Sequence, residues 1–383
     1  KATVTLLNDC DTNRGTSAAK TEPGSDITLD LAGHTLTGNG IGPILYVVSN
    51  ATLTLDDTSD AKTGKVTGTK PISEYSGGAG VSVGRGSTFI MNGGNISENT
   101  NPINGSGTGV SVSSDATFIM NGGSITDNIS QEGSGVCVNG GTFIMNDGII
   151  SGNTCSGGRF AIYHRGAGVE MWRGHFIMNG GTISDNTAYS GGGVYIVDDS
   201  KFTMNGGTIT GNTAENNGGG ANVVNFTMNG GTISGNTAGN SGGGVIGPSI
   251  LKGGEISGNT AGQYGGGVYG GVNMEGGTIT GNHAGKVGGG IFGSNTLIFS
   301  GAPVVSGNTA GEVNHIEENV VIRPEGNRFI NLTLITLGKL TEGAKIGVSV
   351  YSYNYNYFTD NDEHEYITPT FTSAVQFTRA EAD

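Results

Sequence analysis

The sequence is short of charged residues, cysteines and long apolar runs. Only 13% of its 383 residues are Asp, Glu, Lys or Arg, about half the share in an ordinary soluble domain. The three cysteines, Cys10, Cys137 and Cys155, fit neither a dense disulfide scaffold nor a Cys-x-x-Cys zinc pattern. We therefore expect either three reduced thiols or a single Cys137–Cys155 bridge. No apolar run approaches the ~18 residues of a membrane span, so no membrane insertion is expected within this segment.

Positive charge is scarcer than negative charge. Lys and Arg number 18 against 32 Asp and Glu, which gives a net charge of −14 at pH 7. Nucleic acids and anionic membrane surfaces are both recognised by basic surfaces. Neither is therefore expected as a partner.

Glycine is the residue in excess, with 74 of 383 positions against a usual share of about 7%. Collagen is excluded because the Gly-X-Y spacing is absent. A flexible linker is excluded because Ile, Val, Phe and Met interrupt the glycines at fixed intervals. A helical fold is disfavoured because each interior Gly costs a helix about 1 kcal/mol.

One unit is repeated along most of the chain. At Phe89–Asn99 it reads FIMNGGNISEN, and a Gly-rich motif such as the GGGV ending at Val194 precedes most copies. The third position of the unit recurs from 91 to 299 in eight steps, a mean spacing of 26 residues. Its occupants are Met91, Met120, Met145, Met178, Met204, Met228, Leu251, Met274 and Phe299.

Within each unit the apolar residues alternate with a period of two, which indicates strands. Three short strands are predicted per repeat: Gly-Val-x-Val, Phe-x-Met-Asn and Thr-Ile-Ser. Each is too short to be stable alone, so the next copy must supply its backbone partners in register. The sequence thus predicts an all-β fold, a three-faced parallel β-helix with coils of ~26 residues. Phe, Met, Ile and Val should stack in like-on-like columns inside, with paired glycines at the corners.

One asparagine recurs at the same turn of every coil. Stacked side chains there would form an amide ladder that satisfies backbone groups. The predicted members are Asn99, Asn128, Asn153, Asn186, Asn212, Asn236, Asn259, Asn282 and Asn308.

The two ends depart from the repeat, as solenoid ends must. We predict an N-terminal cap and first coils over 1–72, repetitive coils over 73–310, and a C-terminal β cap over 311–383.

These motifs resemble right-handed parallel β-helix proteins of the pectin-lyase-like group, specifically adhesin-like surface proteins of gut bacteria. Leu29–Leu36 is similar to their usual first motif and Ala344–Val348 to their last. The Phe-x-x-Asn motif with Gly-Gly-x-Val also resembles chlamydial polymorphic membrane proteins, which are adhesins. The six copies are Phe89–Asn92, Phe118–Asn121, Phe143–Asn146, Phe176–Asn179, Phe202–Asn205 and Phe226–Asn229. The resemblance implies right-handed coils and a surface location, but the fold hosts lyases, hydrolases and binding proteins alike.

The outward positions of the Gly-Val-x-Val strands carry little catalytic chemistry. They are Ser82, Ser111, Cys137, Glu170, Tyr195, Asn222, Ile246, Tyr269 and Phe292. Only Glu170 is an acid, and neighbouring coils offer no second carboxylate on this face for a two-carboxylate mechanism. No catalytic residue, metal ligand or cofactor is therefore predicted.

One insertion interrupts the repeat. The step from Met145 to Met178 is 33 residues, the longest of the eight, and insertions in solenoids map to loops, often on the binding face. Aromatic and cationic residues of the kinds that form binding hot spots are concentrated here. The predicted binding residues are Arg159, Tyr163, His164, Arg165, Glu170, Trp172 and Arg173. The alternative is a self-packed loop in which Trp172 lies over Phe160 and Cys137.

Three functions remain open. The leading hypothesis is a non-enzymatic binding protein of adhesin type, secreted or on a bacterial cell surface, with a host or environmental glycan or surface protein as partner. The rival is a polysaccharide lyase or glycoside hydrolase with Glu170 and the neighbouring Arg and His as its site. The third is a structural spacer.

Overall fold

The computed structural model describes residues 1–12, 19–38, 42–68, 79–156, 165–293, 297–311, 316–317, 320–322, 335–340, 345–350 and 374–377. Within these residues every regular element is a β-strand. The strands stack in parallel as a β-solenoid of about 11 turns with ~26-residue coils, which confirms the predicted fold class. Its right-handed winding remains a prediction.

A complete coil contains four strands rather than the three that the sequence predicted. One coil runs through His175–Met178, Thr182–Ser184, Thr187–Ser190 and Val194–Val197. The strand missed by the sequence pattern is the third one, which follows the recurring asparagine. It was missed because in most coils it is only two residues long, too short to show an alternation. We name the four stacks the Phe, Ile, Ala and Val columns, each after a buried residue that recurs along it.

The strand bounds follow the column order. The Phe column comprises Ala2–Thr5, Asp26–Asp30, Thr52–Asp56, Thr88–Met91, Thr117–Met120, Thr142–Met145, His175–Met178, Lys201–Met204, Phe226–Met228, Ser249–Leu251, Val272–Met274, Leu297–Gly301 and Ile335–Leu340. The Ile column comprises Cys10–Thr12, Thr35–Gly38, Lys65–Thr67, Asn95–Ser97, Ser124–Thr126, Ile149–Ser151, Thr182–Ser184, Thr208–Thr210, Thr232–Ser234, Glu255–Ser257, Thr278–Thr280, Val304–Ser306 and Lys345–Val350. The Ala column comprises Thr100–Ser106, Ile129–Glu132, Thr154–Cys155, Thr187–Ser190, Thr213–Asn217, Thr237–Ala238, Thr260–Ala261, His283–Ala284 and Thr309–Ala310. The Val column comprises Ala19–Lys20, Leu45–Val47, Val81–Val83, Val110–Val112, Val136–Asn139, Val169–Trp172, Val194–Val197, Ala221–Asn222, Val245–Ile246, Val268–Tyr269, Ile291–Gly293 and Val320–Ile322.

Equivalent residues of successive coils lie side by side, as predicted. Phe118 pairs with Phe143 and Met120 with Met145, and both types are fully buried. The rings of six phenylalanines stack with centroids 4.7–5.1 Å apart, close to the strand spacing of about 4.8 Å. The core is therefore a narrow column of like residues.

The recurring asparagines form the predicted ladder. All nine are fully buried. Each of the first eight donates its backbone N–H to the side-chain oxygen of the next asparagine at 3.0–3.1 Å, as in Asn128 to Asn153. A second ladder, which the sequence did not predict, lies on the outside. The exposed asparagines of the Phe-x-x-Asn motifs are joined by side-chain hydrogen bonds of 2.7–2.9 Å, from Asn92 to Asn229.

The ends of the described chain differ from each other. At the start, Ala2–Thr5 already lies in the Phe column, paired in parallel with the strand Asp26–Asp30. At the other end two pairs are antiparallel: Thr309–Ala310 with Ile316–Glu317, and Lys345–Val350 with Ala374–Phe377. The three-part division of the chain and the C-terminal cap remain predictions. None of the described elements is a helix with the length and hydropathy of a membrane span.

Candidate functional site

The outward residues of the Val column lie side by side in successive coils, as expected from the sequence. Cys137, Glu170 and Tyr195 occupy adjacent rungs. They are not freely exposed, because the turn before each Val strand folds back over its outward side. Gly166, with φ of 59°, lies so close that a Cβ there would be 2.7 Å from the Cβ of Glu170. Only glycine combines this φ with so close an approach.

Glu170 is a fully buried acid in an unusual setting. Its exposed fraction is 0%, the Cys137 thiol donates to Oε2 at 3.9 Å, and Oε1 has no hydrogen-bond partner. Burial raises the pKa of Glu170 to about 8, and the charge of Glu132 raises it further. The indole of Trp172, the guanidinium of Arg165 and the Cys137 thiol act in the opposite direction on this pKa without offsetting burial. At neutral pH the carboxyl is therefore mostly protonated.

A second carboxylate acts on Glu170 from outside the Val column. It belongs to Glu132, which ends the Ala-column strand Ile129–Glu132. A backbone bridge joins Glu132 to Arg165 of the next coil. This neighbour could not be found from the sequence pattern, because the Ala column itself was not predicted.

A groove of about 410 Å³ lies beside this cluster and is lined mainly by polar side chains. We call it the Trp172 groove. Its lining residues are Ser111, Val112, Ser113, Ser114, Glu132, Cys137, Asn139 and Trp172. Trp172 is half-buried, so part of its indole is accessible. The groove therefore combines one aromatic surface with hydroxyl, amide and carboxylate groups, within the usual size range of ligand sites.

The structure brings together only some of the predicted binding residues. Glu170 interacts with both Trp172 and Arg165. The Arg165 guanidinium carbon lies 5.3 Å from the ring centroid of Tyr195. Arg173 does not line the groove; its side chain is 78% exposed and lies 4.0 Å from the carboxylate of Asp198. The other three predicted residues, together with Phe160, lie outside the described residues: Arg159, Tyr163 and His164.

The cysteines are free thiols, which decides between the two alternatives of the sequence analysis. Cys10 is exposed, whereas Cys137 and Cys155 are buried. The Cys155 sulfur lies 3.1 Å from the hydroxyl of Ser134. Burial raises the pKa of the Cys155 thiol to about 12, so it is unreactive at neutral pH.

A groove of about 470 Å³ crosses the outer side of the Phe column, where Thr203, Thr227 and Ile250 succeed one another. In the described ranges, no group of three or more His, Cys, Asp or Glu side chains is placed to hold a metal ion.

No protein-family model, no curated protein and no solved structure matches this chain.

Proposed function

We propose that this chain is a non-enzymatic binding module that holds a glycan in the Trp172 groove. In this proposal the module has an adhesin-type role and is located on a bacterial cell surface or outside the cell. Its coils wind as a right-handed β-helix, like those of the pectin-lyase-like group. The coil stack would act as a rigid stalk that presents the groove.

The observation that carries this proposal is the composition of the groove. Sugars present apolar C–H faces, which stack on aromatic rings, and hydroxyls, which exchange hydrogen bonds with polar side chains. Trp172 supplies the ring, and Ser113, Ser114 and Asn139 supply hydroxyl and amide groups along the wall. Ser114 and Asn139 are exposed to solvent, so an incoming ligand can reach them.

Binding is favoured over catalysis by the inaccessibility of the acid. A general acid must come within hydrogen-bond reach of the bond that it protonates. Glu170 is fully buried and is not among the residues that line the groove. Its carboxyl could act on a bound sugar only after the surrounding turns had moved.

The test is glycan-array binding of the labelled chain, followed by titration of the best ligand. We expect Trp172→Ala to weaken binding at least about tenfold, because a stacking aromatic is a typical hot spot. The control is Tyr46→Ala, which removes an aromatic ring of the same column that is 38% exposed and lies outside the groove. Absence of glycan binding, or equal affinities of the Trp172→Ala variant and the unmodified chain, would overturn the proposal.

A second candidate function is glycoside hydrolysis, which one observation favours. Most glycoside hydrolases use two carboxyl groups in different environments, and the one with the raised pKa acts as the general acid. Glu170 would be the acid, since its pKa is raised by burial and by Glu132. Release of reducing ends from any glycan bound on the array, lost in Glu170→Gln, would establish this function in place of simple binding.

A further inference from the structure

We propose that the exposed asparagine ladder, which runs from Asn92 to Asn229, protects its own Asn-Gly pairs against deamidation. At its open end it leaves Asn92 as the site where the folded chain is modified. This inference is independent of the proposed function, because it concerns the chemistry of the Phe column and not the Trp172 groove.

Deamidation is the reaction of an asparagine side chain with the backbone nitrogen of the next residue, and glycine hinders it least because it has no side chain. The glycine nitrogen loses its proton to solvent hydroxide and attacks the side-chain carbonyl carbon. A C–N bond forms, the side-chain nitrogen takes a proton from water and leaves as ammonia, and water opens the resulting succinimide to aspartate or isoaspartate. Five of the six ladder residues precede a glycine: Asn92, Asn121, Asn179, Asn205 and Asn229.

The ladder has a direction, which makes its two ends chemically different. Each side-chain amide from Asn121 to Asn229 donates to the side-chain oxygen of the preceding rung at 2.7–2.9 Å. Asn92 accepts such a bond, but its own amide donates to none of the described residues. In the preceding coil the equivalent residue is Asp56, whose Oδ1 accepts from the backbone N–H of Asp57. The nitrogen that must leave as ammonia is therefore held by a hydrogen bond in every rung except Asn92.

The attacking nitrogen differs along the ladder in the same sense. In three rungs the glycine N–H donates at 3.3 Å to a carbonyl of the preceding coil: Gly180, Gly206 and Gly230. Gly93 and Gly122 make no such bond to the part of the chain that the structure describes. A donated N–H has to give up its partner before the nitrogen can attack. Asn92 is thus the ladder residue in which neither the leaving amide nor the attacking nitrogen is held within the described chain.

Two other Asn-Gly pairs separate these two effects. Asn139 is exposed and lies outside the ladder, but the N–H of Gly140 donates to the carbonyl of Trp172 at 2.8 Å. Asn121 has the opposite combination, since its side-chain amide is held by Asn92 while its glycine nitrogen is not. We expect both to react more slowly than Asn92.

The experiment incubates the folded chain at mildly alkaline pH, where a backbone nitrogen ionises more readily, and measures aspartate and isoaspartate at each site by peptide mass spectrometry. We expect Asn92 to convert at least about tenfold faster than three sites in the same Asn-Gly-Gly sequence: Asn121, Asn139 and Asn179. In the urea-unfolded chain all four should convert at similar rates, because only the fold distinguishes them. Similar rates at the four sites of the folded chain would overturn the inference.

Two variants test the direction of the ladder. Asn92→Ala makes Asn121 the last rung, so its amide loses its acceptor and its conversion should accelerate about tenfold. The matched control is Asn229→Ala, which shortens the ladder at the other end and leaves the amide of Asn205 bonded to Asn179. Conversion of Asn205 should then stay unchanged. An unchanged rate at Asn121 in the first variant, or an equal acceleration of the end rungs in both, would show that the ladder does not protect its members.

Discussion

The side-chain amide of Asn186 donates a hydrogen bond to the side-chain oxygen of Asn212 at 2.9 Å, and the backbone N–H of Asn186 donates to the same oxygen at 3.1 Å. The second amide hydrogen of Asn186 goes to the carbonyl of Ile150 at 3.0 Å. Its own oxygen accepts two bonds from Asn153. One buried side chain thus bonds to polar groups of both neighbouring coils, which explains why asparagine recurs there.

Replacement of Asn186 by alanine should strongly destabilise the central coils. It leaves two donors of Asn153 and the carbonyl of Ile150 buried without these partners, and each unsatisfied group costs about 1–3 kcal/mol. We expect a loss of about 4 kcal/mol, measured from urea denaturation. The control is Asn179→Ala in the exposed ladder, which water can compensate; its expected cost is below about 1 kcal/mol. Equal effects of the two substitutions would contradict the role assigned to the buried ladder.

Stability should fall from mildly acidic to alkaline pH because of Glu170. In the folded protein burial raises its pKa to about 8 from an ordinary 4.5. Between these values the folded state holds a proton that the unfolded chain has released, so the free energy of unfolding decreases as pH rises. Glu170→Gln removes the titrating group, and the slope of this free energy against pH over that window should flatten. A slope that persists in the variant would show that another group is responsible.

At acidic pH two aspartates of the first coils should give the opposite dependence, in which the free energy of unfolding decreases as pH falls. Burial by itself would raise the pKa of Asp57, but hydrogen bonds from Ser59, Gly64 and Gly33 hold it below the ordinary 3.8. The pKa of Asp30 is lowered in the same way, mainly by Thr58. Their stabilisation is present above about pH 4 and is lost as pH falls. The protection factors of amide hydrogen exchange in residues 26–38 and 42–68 should therefore decrease in acid before those of the central coils.

Thiol labelling should distinguish the three cysteines. Cys10 is exposed, while Cys137 and Cys155 are buried, and the raised pKa of Cys155, about 12, keeps its thiol protonated. Iodoacetamide should therefore modify the native chain once, at Cys10, and the urea-unfolded chain three times. Mass spectrometry of the intact chain gives both counts. Failure of the unreduced, unfolded chain to take up three labels would reveal a disulfide.

Glycines of two kinds should respond differently to substitution. Gly193 has an ordinary φ, but a Cβ there would be 2.6 Å from the carbonyl oxygen of Gly220 in the next coil. Gly235 has φ of 62°, and the nearest atom to a Cβ there would be the Thr210 hydroxyl oxygen at 3.6 Å, an ordinary contact. Asp185 holds the equivalent turn position with φ of 57°. We expect Gly193→Ala to cost about 3 kcal/mol by overpacking. Gly235→Asp should cost less than about 1 kcal/mol, because aspartate tolerates this conformation. Thermal denaturation of the two variants provides the comparison, and a reversed order would refute this division.

The sequence predicted the repetitive parts well because identity between copies carries structural information. Phe118 and Phe143, or Asn128 and Asn153, occupy equivalent places in their repeats, so the stacking of one on the other follows from the period alone. Prediction from the sequence failed for strands too short to show an alternation and for contacts between residues of different columns. The Ala column has strands of two residues in most coils, and Glu132 was overlooked with it. The burial of Glu170 was missed because an alternating pattern marks its side chain as outward without showing that a turn covers it.

The amino-acid sequence by itself thus determined the parallel β-solenoid, its coil length, its stacked core and its buried amide ladder. These features depend on the local alternation of apolar residues and on the repeat, which places each residue beside its equivalent in the next coil. Alternation and repeat are both visible in the linear sequence. Tertiary structure alone decided that each complete coil has four strands, that Cys137 and Cys155 form no disulfide, and that Trp172 and Glu132 line one groove. These features depend on the path of each turn in space. The turns bring together residues that are not equivalent in the repeat, such as Glu132 and Trp172, so the period does not predict their proximity.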